Sequence, residues 1–182
     1  MIPRKAFVIT AAVVFTAGIA YFGYSGFIKR KGSYPVLSKC SISMPKPKAW
    51  CNDYVSVFST EERQILDSII GSHEAETGNE IAIVTIDSSM LGNCSIEDFS
   101  TELGNAWGVG KKDKNIGVLM VICPQQRKLR IATGYGSKKI LTDAYAGIII
   151  KTQMLPHLRD GEYFEGARAG LVSIINKLKK LP

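Results

Sequence analysis

Apolar residues divide the chain into one long uncharged run and several shorter segments of regular pattern. Residues 6–28 carry no charge, and a run of this length suffices for a helix that crosses a bilayer. Residues 81–86 and 116–123 are continuous apolar runs, which favours strands buried on both faces. Residues 127–133 alternate between apolar and polar positions, so we expect a strand near the edge that forms a hairpin with the run before it.

Helical periodicity fills the segments between these strands. Ser59 and Glu62 form a capping box ahead of an apolar stripe, and Gly78 follows the last turn of that helix. Pro156 is expected to end or kink the third helix. The predicted helices cover residues 60–77, 96–107, 143–155 and 162–178, with a short helical turn at 137–141. This order of elements predicts an α/β fold with helices on both faces of a small mixed sheet.

The same pattern predicts four parts of the chain. Residues 1–5 form a short tail, residues 6–28 a transmembrane anchor, residues 29–52 a linker and residues 53–182 the folded domain. A cleaved signal peptide is the alternative for the first apolar run, but the run exceeds the usual ~7–15 residues, which favours an uncleaved signal anchor. The linker is rich in Pro and Lys, so we expect an extended spacer that holds the domain away from the bilayer.

The formal net charge of +7 comes from the N-terminal part of the chain. Every acidic residue lies at or after Asp53, and from that residue onward 15 basic side chains face 16 acidic ones. The folded domain is therefore near neutral, which excludes the basic surface of a nucleic-acid-binding domain. The lysines after residue 28 favour a cytoplasmic domain by the positive-inside rule, and the alternative is that they sit on anionic headgroups.

Four cysteines permit two disulfides and lack the C-x-x-C spacing of a metal site. Cys40 and Cys51 lie in the same juxtamembrane segment, so we expect these two to pair with each other. Cys94 and Cys123 lie farther along the chain, within the predicted domain. Four free thiols are the alternative.

Two glycine-rich turns frame the predicted hairpin. Gly108 and Gly110 precede it, and Gly134, Tyr135 and Gly136 follow it. The first turn does not match a phosphate-binding loop, because it follows a helix and its glycine spacing is off by one. The second turn lacks the third glycine of a dinucleotide-binding fingerprint.

Three carboxylates in or beside loops are candidates for metal binding or acid–base chemistry: Asp87, Asp113 and Asp143. Asp87 and Asp113 flank different strands, so the order of strands in the sheet decides whether they meet. For Asp143 a plain helix N-cap is the alternative. The two histidines, His73 and His157, have no company of metal-ligating residues in the sequence and are expected to be structural or on the surface.

Several stretches together resemble the TPM domain in order and spacing. They include the Trp107–Gly110 turn and the Gly134–Gly136 turn. The resembling stretches are residues 52–53, 58–59, 77–85, 106–112, 117–119, 130–136 and 141–143. The TPM family includes a plant thylakoid-lumen phosphatase-like protein, a photosystem II repair factor, a nematode receptor modulator and many membrane-anchored bacterial proteins. The resemblance extends from about Asp53 to the C-terminus.

The resemblance implies a three-layer α/β/α sandwich outside the cytoplasm, tethered by a membrane helix. It also implies a shallow acidic site for calcium or another divalent cation, and a weak acid-phosphatase activity in some members. On this pattern Asp143 and Asp113 would be the catalytic carboxylates, and Asp87 would join them as a metal ligand. A cation held by carboxylates could polarise a phosphoryl group and present a water molecule.

This chain departs from the family pattern at two positions. Lys114 stands where the family has an aspartate, with Asp113 as a displaced substitute, and Lys138 stands where it has a glutamate. One outcome is an anion site at Ser137, Lys138 and Lys139, next to a helix N-terminus. The other is an internal ion pair between Lys138 and Asp143 or Asp113, and we favour that outcome.

Two functions follow from the resemblance and its departures. The first is a membrane-anchored, single-pass TPM domain that serves as an assembly, repair or interaction module of the cell envelope, with little or no catalysis. Its partners would be the membrane and other membrane or envelope proteins, with the domain outside the cytoplasm. The alternative is a weak acid phosphatase that depends on a divalent metal and hydrolyses phosphomonoesters.

Overall fold

A computed structural model describes residues 40, 42–110 and 116–179. The predicted tail and transmembrane anchor, residues 1–28, and half of the linker lie outside these ranges. Within them, no helix combines the length and the apolar character that crossing a membrane requires.

A four-stranded sheet lies at the centre of the domain, in the order β1-β2-β3-β4. The strands are β1 (Cys51–Asp53), β2 (Glu80–Thr85), β3 (Gly117–Cys123) and β4 (Lys128–Thr133). The first three run parallel to one another, and β4 pairs antiparallel with β3. Every residue of β2 and β3 is buried, whereas β4 is half exposed at the edge. The small mixed sheet confirms the α/β class and the predicted hairpin.

Six α-helices accompany the sheet in the described ranges. They are α1 (Thr60–Thr77), α2 (Ser88–Leu91), α3 (Ile96–Trp107), α4 (Asp143–Ile149), α5 (Leu155–Arg159) and α6 (Tyr163–Leu178). The predicted capping box at the start of α1 is present: Glu62 N–H donates to Ser59 Oγ at 3.1 Å, and Ser59 N–H donates to the Glu62 carboxylate at 2.7 Å. Gly78 ends α1 in the left-handed conformation, with φ of 72°.

Two neighbouring residues of β3 show that helices cover both faces of the sheet. Leu119 reaches α3, where a Cβ added to Gly104 would lie 3.8 Å from its Cδ2 atom. Met120 reaches α6, where a Cβ added to Gly170 would lie 3.2 Å from its Cε atom. Successive strand residues point to opposite faces, so α3 and α6 lie on opposite sides of the sheet.

The third predicted helix does not end before Pro156. A π-helical turn over Ile150–Met154 joins α4 to α5, and Pro156 lies in the first turn of α5. Proline has no N–H to donate and its ring crowds the carbonyl one turn earlier. The wider π turn separates these groups and lets the chain continue helically to Arg159.

The folded domain begins before the predicted boundary at Asp53. Trp50 is buried against α1, and its indole N–H donates to the Glu74 carboxylate at 2.8 Å. Farther back, the Pro45 carbonyl accepts from the indole of Trp107 at 2.6 Å. The indole hydrogen bonds of Trp50 and Trp107 thus hold residues 45–50 against the domain. This part of the predicted spacer belongs to the domain and does not stand away from it.

The predicted Cys40–Cys51 disulfide is wrong: Cys40 pairs with Cys94, with their Cα atoms 5.5 Å apart. The Cys40 N–H donates to Glu102 of α3 at 3.1 Å, which places this cysteine against the middle of that helix. Cys51 is held in β1 and its N–H donates to Asp67 of α1 at 2.7 Å. Its thiol is free and buried, and burial raises its pKa far above the ordinary range. Closeness in sequence therefore did not predict the disulfide partner of Cys40, because residues 42–50 separate Cys40 from Cys51 in the fold.

Candidate functional site

The two predicted glycine turns meet at the amino end of β3. The Gly117 carbonyl accepts from Gly134 N–H at 2.8 Å and from the buried Ser137 hydroxyl at 2.7 Å. Ser137 also donates to the Gly134 carbonyl at 3.0 Å. The loop after β4 is thereby fixed against the first residue of β3.

The turn before β3 is packed backbone against backbone. Gly110 has φ of 83°, and a Cβ there would lie 2.3 Å from the Gly117 nitrogen. Gly117 is equally confined, because its own Cβ would lie 2.4 Å from the Val109 carbonyl oxygen. Glu80, almost fully buried in β2, accepts from Gly110 N–H at 2.6 Å. Only glycine fits these two positions, which explains the glycines of the motif.

Asp143 lies beside this junction, in the first turn of α4, which Thr142 caps. Arg130 of β4 donates to one of its carboxylate oxygens at 3.0 Å, and the Lys138 ammonium lies 3.0 Å from the other. The hydrogen bond from Lys138, with Arg130 adding to it, holds the pKa of Asp143 below its ordinary value. We call this the Arg130–Asp143–Lys138 cluster.

A shallow groove of about 230 Å³ runs past the cluster between α3 and β4. Its lining combines backbone and small polar side chains with the cluster. The lining residues are Ser100, Thr101, Gly104, Asn105, Val109, Gly117, Leu119, Arg130, Ala132, Thr133, Gly134, Lys138 and Asp143. The described lining of this groove carries two cations and one carboxylate, so the charge of that lining is positive. We call it the Asp143 groove.

Of the three predicted carboxylates, the structure describes Asp87 and Asp143, and it places them on different elements. Asp87 follows β2 and caps α2, so it lies at the carboxyl end of the parallel strands. Asp143 has Arg130 of β4 and Lys138 of the following loop as its partners, whereas Asp87 accepts from the N–H groups of Ser89 and Met90. Asp113 falls outside the described residues. Across the ranges that the structure describes, no three His, Cys, Asp or Glu side chains gather as metal ligands.

The residues of the predicted anion site have other partners. Ser137 is buried and its hydroxyl donates to backbone carbonyls, while Lys138 pairs with Asp143. Lys139 is exposed, on the short 3-10 turn of residues Ser137–Lys139. The internal pairing that the sequence analysis favoured is the arrangement present. Tyr135, between the two glycines, is 84% exposed and leaves an aromatic ring in solvent beside the groove.

Sequence reasoning missed Arg130 and Glu80. The alternation of β4 was visible and places Arg130 on the face opposite Leu129, but it does not say that this face meets α4. Glu80 lies in a run of buried apolar residues. An acidic residue in such a run predicts a buried side chain that accepts hydrogen bonds from backbone N–H groups, because a buried carboxylate needs hydrogen-bond donors.

Known proteins support the same fold. A sequence model of the TPM domain matches residues 51–177. The solution structure of an N-terminal domain from P. gingivalis is 32% identical, with a TM-score of 0.65, covering 71% of this chain and 82% of its own. An N-terminal domain from Corynebacterium glutamicum has 16% identity, a TM-score of 0.56 and coverage of 79% and 86%. A protein from Bizionia argentinensis has 15% identity, a TM-score of 0.60 and coverage of 70% and 85%. The last two show the fold alone, and no curated protein matches the chain.

Proposed function

The chain belongs to the TPM domain family, and from this premise we propose that it is an assembly, repair or interaction module of the cell envelope with little or no catalysis. The Arg130–Asp143–Lys138 cluster carries this proposal. It uses the acidic group that the alternative, a metal-dependent phosphatase, would need. The residues 6–28 would tether the module to the membrane as a single span.

The described residues do not fit a resident divalent cation. A hard cation needs several oxygen ligands, and Asp143 offers its two oxygens to Arg130 and Lys138. A bound cation would have to displace one of them and tolerate the other within a few ångströms. Lys138 therefore disfavours cation binding in two ways. Its positive charge repels a cation, and it stands where the family pattern has a glutamate ligand.

The same groove suits recognition of another protein. It is shallow, its charge is positive, and Tyr135 stands exposed beside it. Tyrosine and arginine are enriched at the centres of protein interfaces, because they combine a large contact area with polar groups. An envelope protein that presents an acidic side chain next to an apolar one would complement this surface.

The disulfide supports a domain outside the cytoplasm. Cys40 and Cys94 are bonded, and disulfides persist mainly in oxidising compartments. This argument agrees with the family resemblance and opposes the lysine count, which favours the inside. We place the domain on the outer side, where other membrane or envelope proteins would be its partners.

Calcium titration of the full chain by calorimetry, together with turnover of a generic phosphomonoester, tests the absence of catalysis. We expect no calcium heat in the micromolar range and no turnover. Micromolar binding, or turnover that Asp143→Asn abolishes, would overturn the proposal in favour of the phosphatase.

Two neighbouring lysines supply a matched control. Lys138→Glu restores the carboxylate of the family pattern and frees Asp143, so we expect this variant to gain calcium binding. Lys139→Glu makes the same charge change on an exposed residue that is not among the partners of Asp143 in the described ranges, and we expect no gain there. Equal behaviour of the two variants would show that Lys138 does not decide cation binding.

A photo-crosslinking residue at Tyr135 tests the interaction role in intact cells. We expect a discrete crosslinked species from this position. Ile65 on α1 is the control, because it is also an exposed apolar side chain but lies on another element. A species formed equally from both positions would contradict a specific interface at the groove.

A further inference from the structure

A second cleft lies at the other end of the sheet. Its volume is about 430 Å³, within the range of small-molecule sites. It opens at the carboxyl end of β3, between the β3–β4 turn and α5 with the loop that follows. Its lining residues are Ile122, Cys123, Pro124, Arg127, Lys128, Leu129, Leu155, Leu158, Arg159, Gly161 and Tyr163. We call it the basic cleft, and it shares no residue with the Asp143 groove.

Three cations line the basic cleft: Arg127, Lys128 and Arg159. Over the part of the chain that the structure describes, none of their side chains makes an ion pair or a hydrogen bond. The nearest acids in sequence are Asp160 and Glu162, and neither belongs to the lining. Glu162 is already engaged by His157 at 2.9 Å.

The floor of the basic cleft is apolar. Ile122 is buried, and Leu129, Leu155 and Leu158 are half-buried at the surface of the cleft. Tyr163, also half-buried, closes one side. A ligand that fits this lining has a negative group for the cations and an apolar body for the leucines. The pairing of an apolar lining with a few convergent charged groups is typical of small-molecule sites.

The backbone at Arg127 supplies an independent observation. Its φ is 50°, in the left-handed region, and its N–H closes the turn on the Pro124 carbonyl at 3.0 Å. Glycine or asparagine adopts this conformation readily, while other residues are strained there. An arginine at this position makes the fold less stable than a glycine would, and it places a cation at the cleft. Strain of this kind is concentrated at functional sites.

We propose that the basic cleft binds a small organic anion, a carboxylate or phosphate group joined to a compact apolar body. Arg127 and Arg159 hold the anionic group through charge-assisted hydrogen bonds. The leucine side chains of the floor cover the apolar body. The site is independent of the interaction role above, since it lies at the opposite end of β3 from the Asp143 groove.

Phenylphosphonate is a suitable probe, because it has an anionic group, an aromatic body and no hydrolysable ester. Calorimetry with the full chain is expected to show saturable binding. Arg127→Gly and Arg159→Gln are each expected to weaken binding about tenfold or more, as removal of a charge-assisted hydrogen bond does. Arg127→Gly relieves the strained φ, so this variant should melt at or above the temperature of the wild type while it loses affinity.

Two variants with the same kind of change elsewhere serve as controls. Arg168→Gln removes an exposed arginine of α6 that pairs with Glu165 outside the cleft, and Lys138→Glu alters only the Asp143 groove. Both should bind phenylphosphonate as the wild type does. If Lys138→Glu gains calcium binding with its phenylphosphonate affinity unchanged, the two sites are separate.

Three results would overturn the proposal. One is the absence of saturable phenylphosphonate binding that Arg127→Gly weakens. A second is equal affinity for inorganic phosphate, which has the charge without the apolar body. The third is equal affinity for benzylamine, which has the aromatic body with the opposite charge.

Discussion

The Lys138 ammonium lies 3.0 Å from the Asp143 carboxylate, so a lysine neutralises the acid that the family resemblance assigns to a cation site. Arg130 approaches the other oxygen of the same carboxylate at the same distance. A single lysine in the loop after β4 thus adds a positive charge to the groove and also pairs with its acid.

The Asp143 carboxyl is expected to titrate below its ordinary pKa of 3.8. Lys138→Met should raise this pKa, because the hydrogen bond from Lys138 is the largest cause of the shift. A depressed folded pKa means that the ion pairs stabilise the fold above about pH 4 and that this contribution is lost as the pH falls further. Carboxyl-carbon NMR titration of both proteins measures the shift. An unchanged pKa in Lys138→Met would contradict the pairing.

Gly110→Ala is expected to destabilise the domain by about 2–4 kcal/mol, because a Cβ there is strained by φ and overlaps the backbone of β3. Gly147→Ala is the matched control: Gly147 is exposed in α4 and an added Cβ meets nothing within 4 Å. That variant should gain about 0.5–1 kcal/mol of helix stability. Urea unfolding of both variants decides the point, and equal effects would contradict the close contact of Gly110 with Gly117.

Peptide mapping under non-reducing conditions should recover a Cys40–Cys94 link and leave Cys51 and Cys123 as thiols. Replacing both bonded cysteines by serine should lower stability by roughly 4 kcal/mol, the chain-entropy estimate for a loop of this length. The sequence separation of the pair is 54. Cys51→Ser is the control for the linkage, since the mapped bond should persist in it. Recovery of a Cys40–Cys51 peptide would refute the pairing.

His73 makes stability depend on pH near neutrality. It is buried on α1, and neither ring nitrogen has a hydrogen-bond partner among the described residues. Burial, with Lys179 adding to it and Glu76 opposing it, lowers its pKa below 6.5. The unfolded chain therefore takes up a proton first, so stability is full above about pH 6.5 and declines as the pH falls below it.

The variant His73→Leu should abolish this decline in urea unfolding measured between about pH 5 and pH 7. His157→Gln is the control, because His157 is partly exposed and pairs with Glu162. If the slope with pH is the same in His73→Leu as in the wild type, another group causes it.

Local signals were sufficient to predict β2, β3, β4 and the longer helices, whereas the short elements β1 and α2 were not predicted. The capping box at Ser59 and the left-handed glycine at position 78 are properties of a few adjacent residues, and both were found as expected. The apolar residues are continuous in β3 and alternate with polar ones in β4, and this difference likewise reflects how deeply each residue is buried. These features depend on the chain within one or two turns, so they can be recognised without knowledge of the tertiary structure.

The site could be predicted only in part, because it depends on which loops the sheet order brings together. Asp143 was identified, but Asp87 lies at the opposite end of the parallel strands. Arg130 lies 13 residues from Asp143 and meets it because β4 is antiparallel to β3. The Cys40–Cys94 bond could not be predicted from the sequence for the same reason. The two cysteines meet only because residues 42–50 pack against the domain.

The Cys40–Cys94 bond also determines where mechanical load enters the fold. Tension applied at residue 40 passes through the sulfur atoms to the turn before α3, and bypasses residues 42–50 and β1. Edge strand β1 has a single neighbour and would be peeled one hydrogen bond at a time if it were pulled directly. The covalent bypass leaves β1 unloaded, so a pull from the N-terminal side tests the packing of α3 before it tests the sheet.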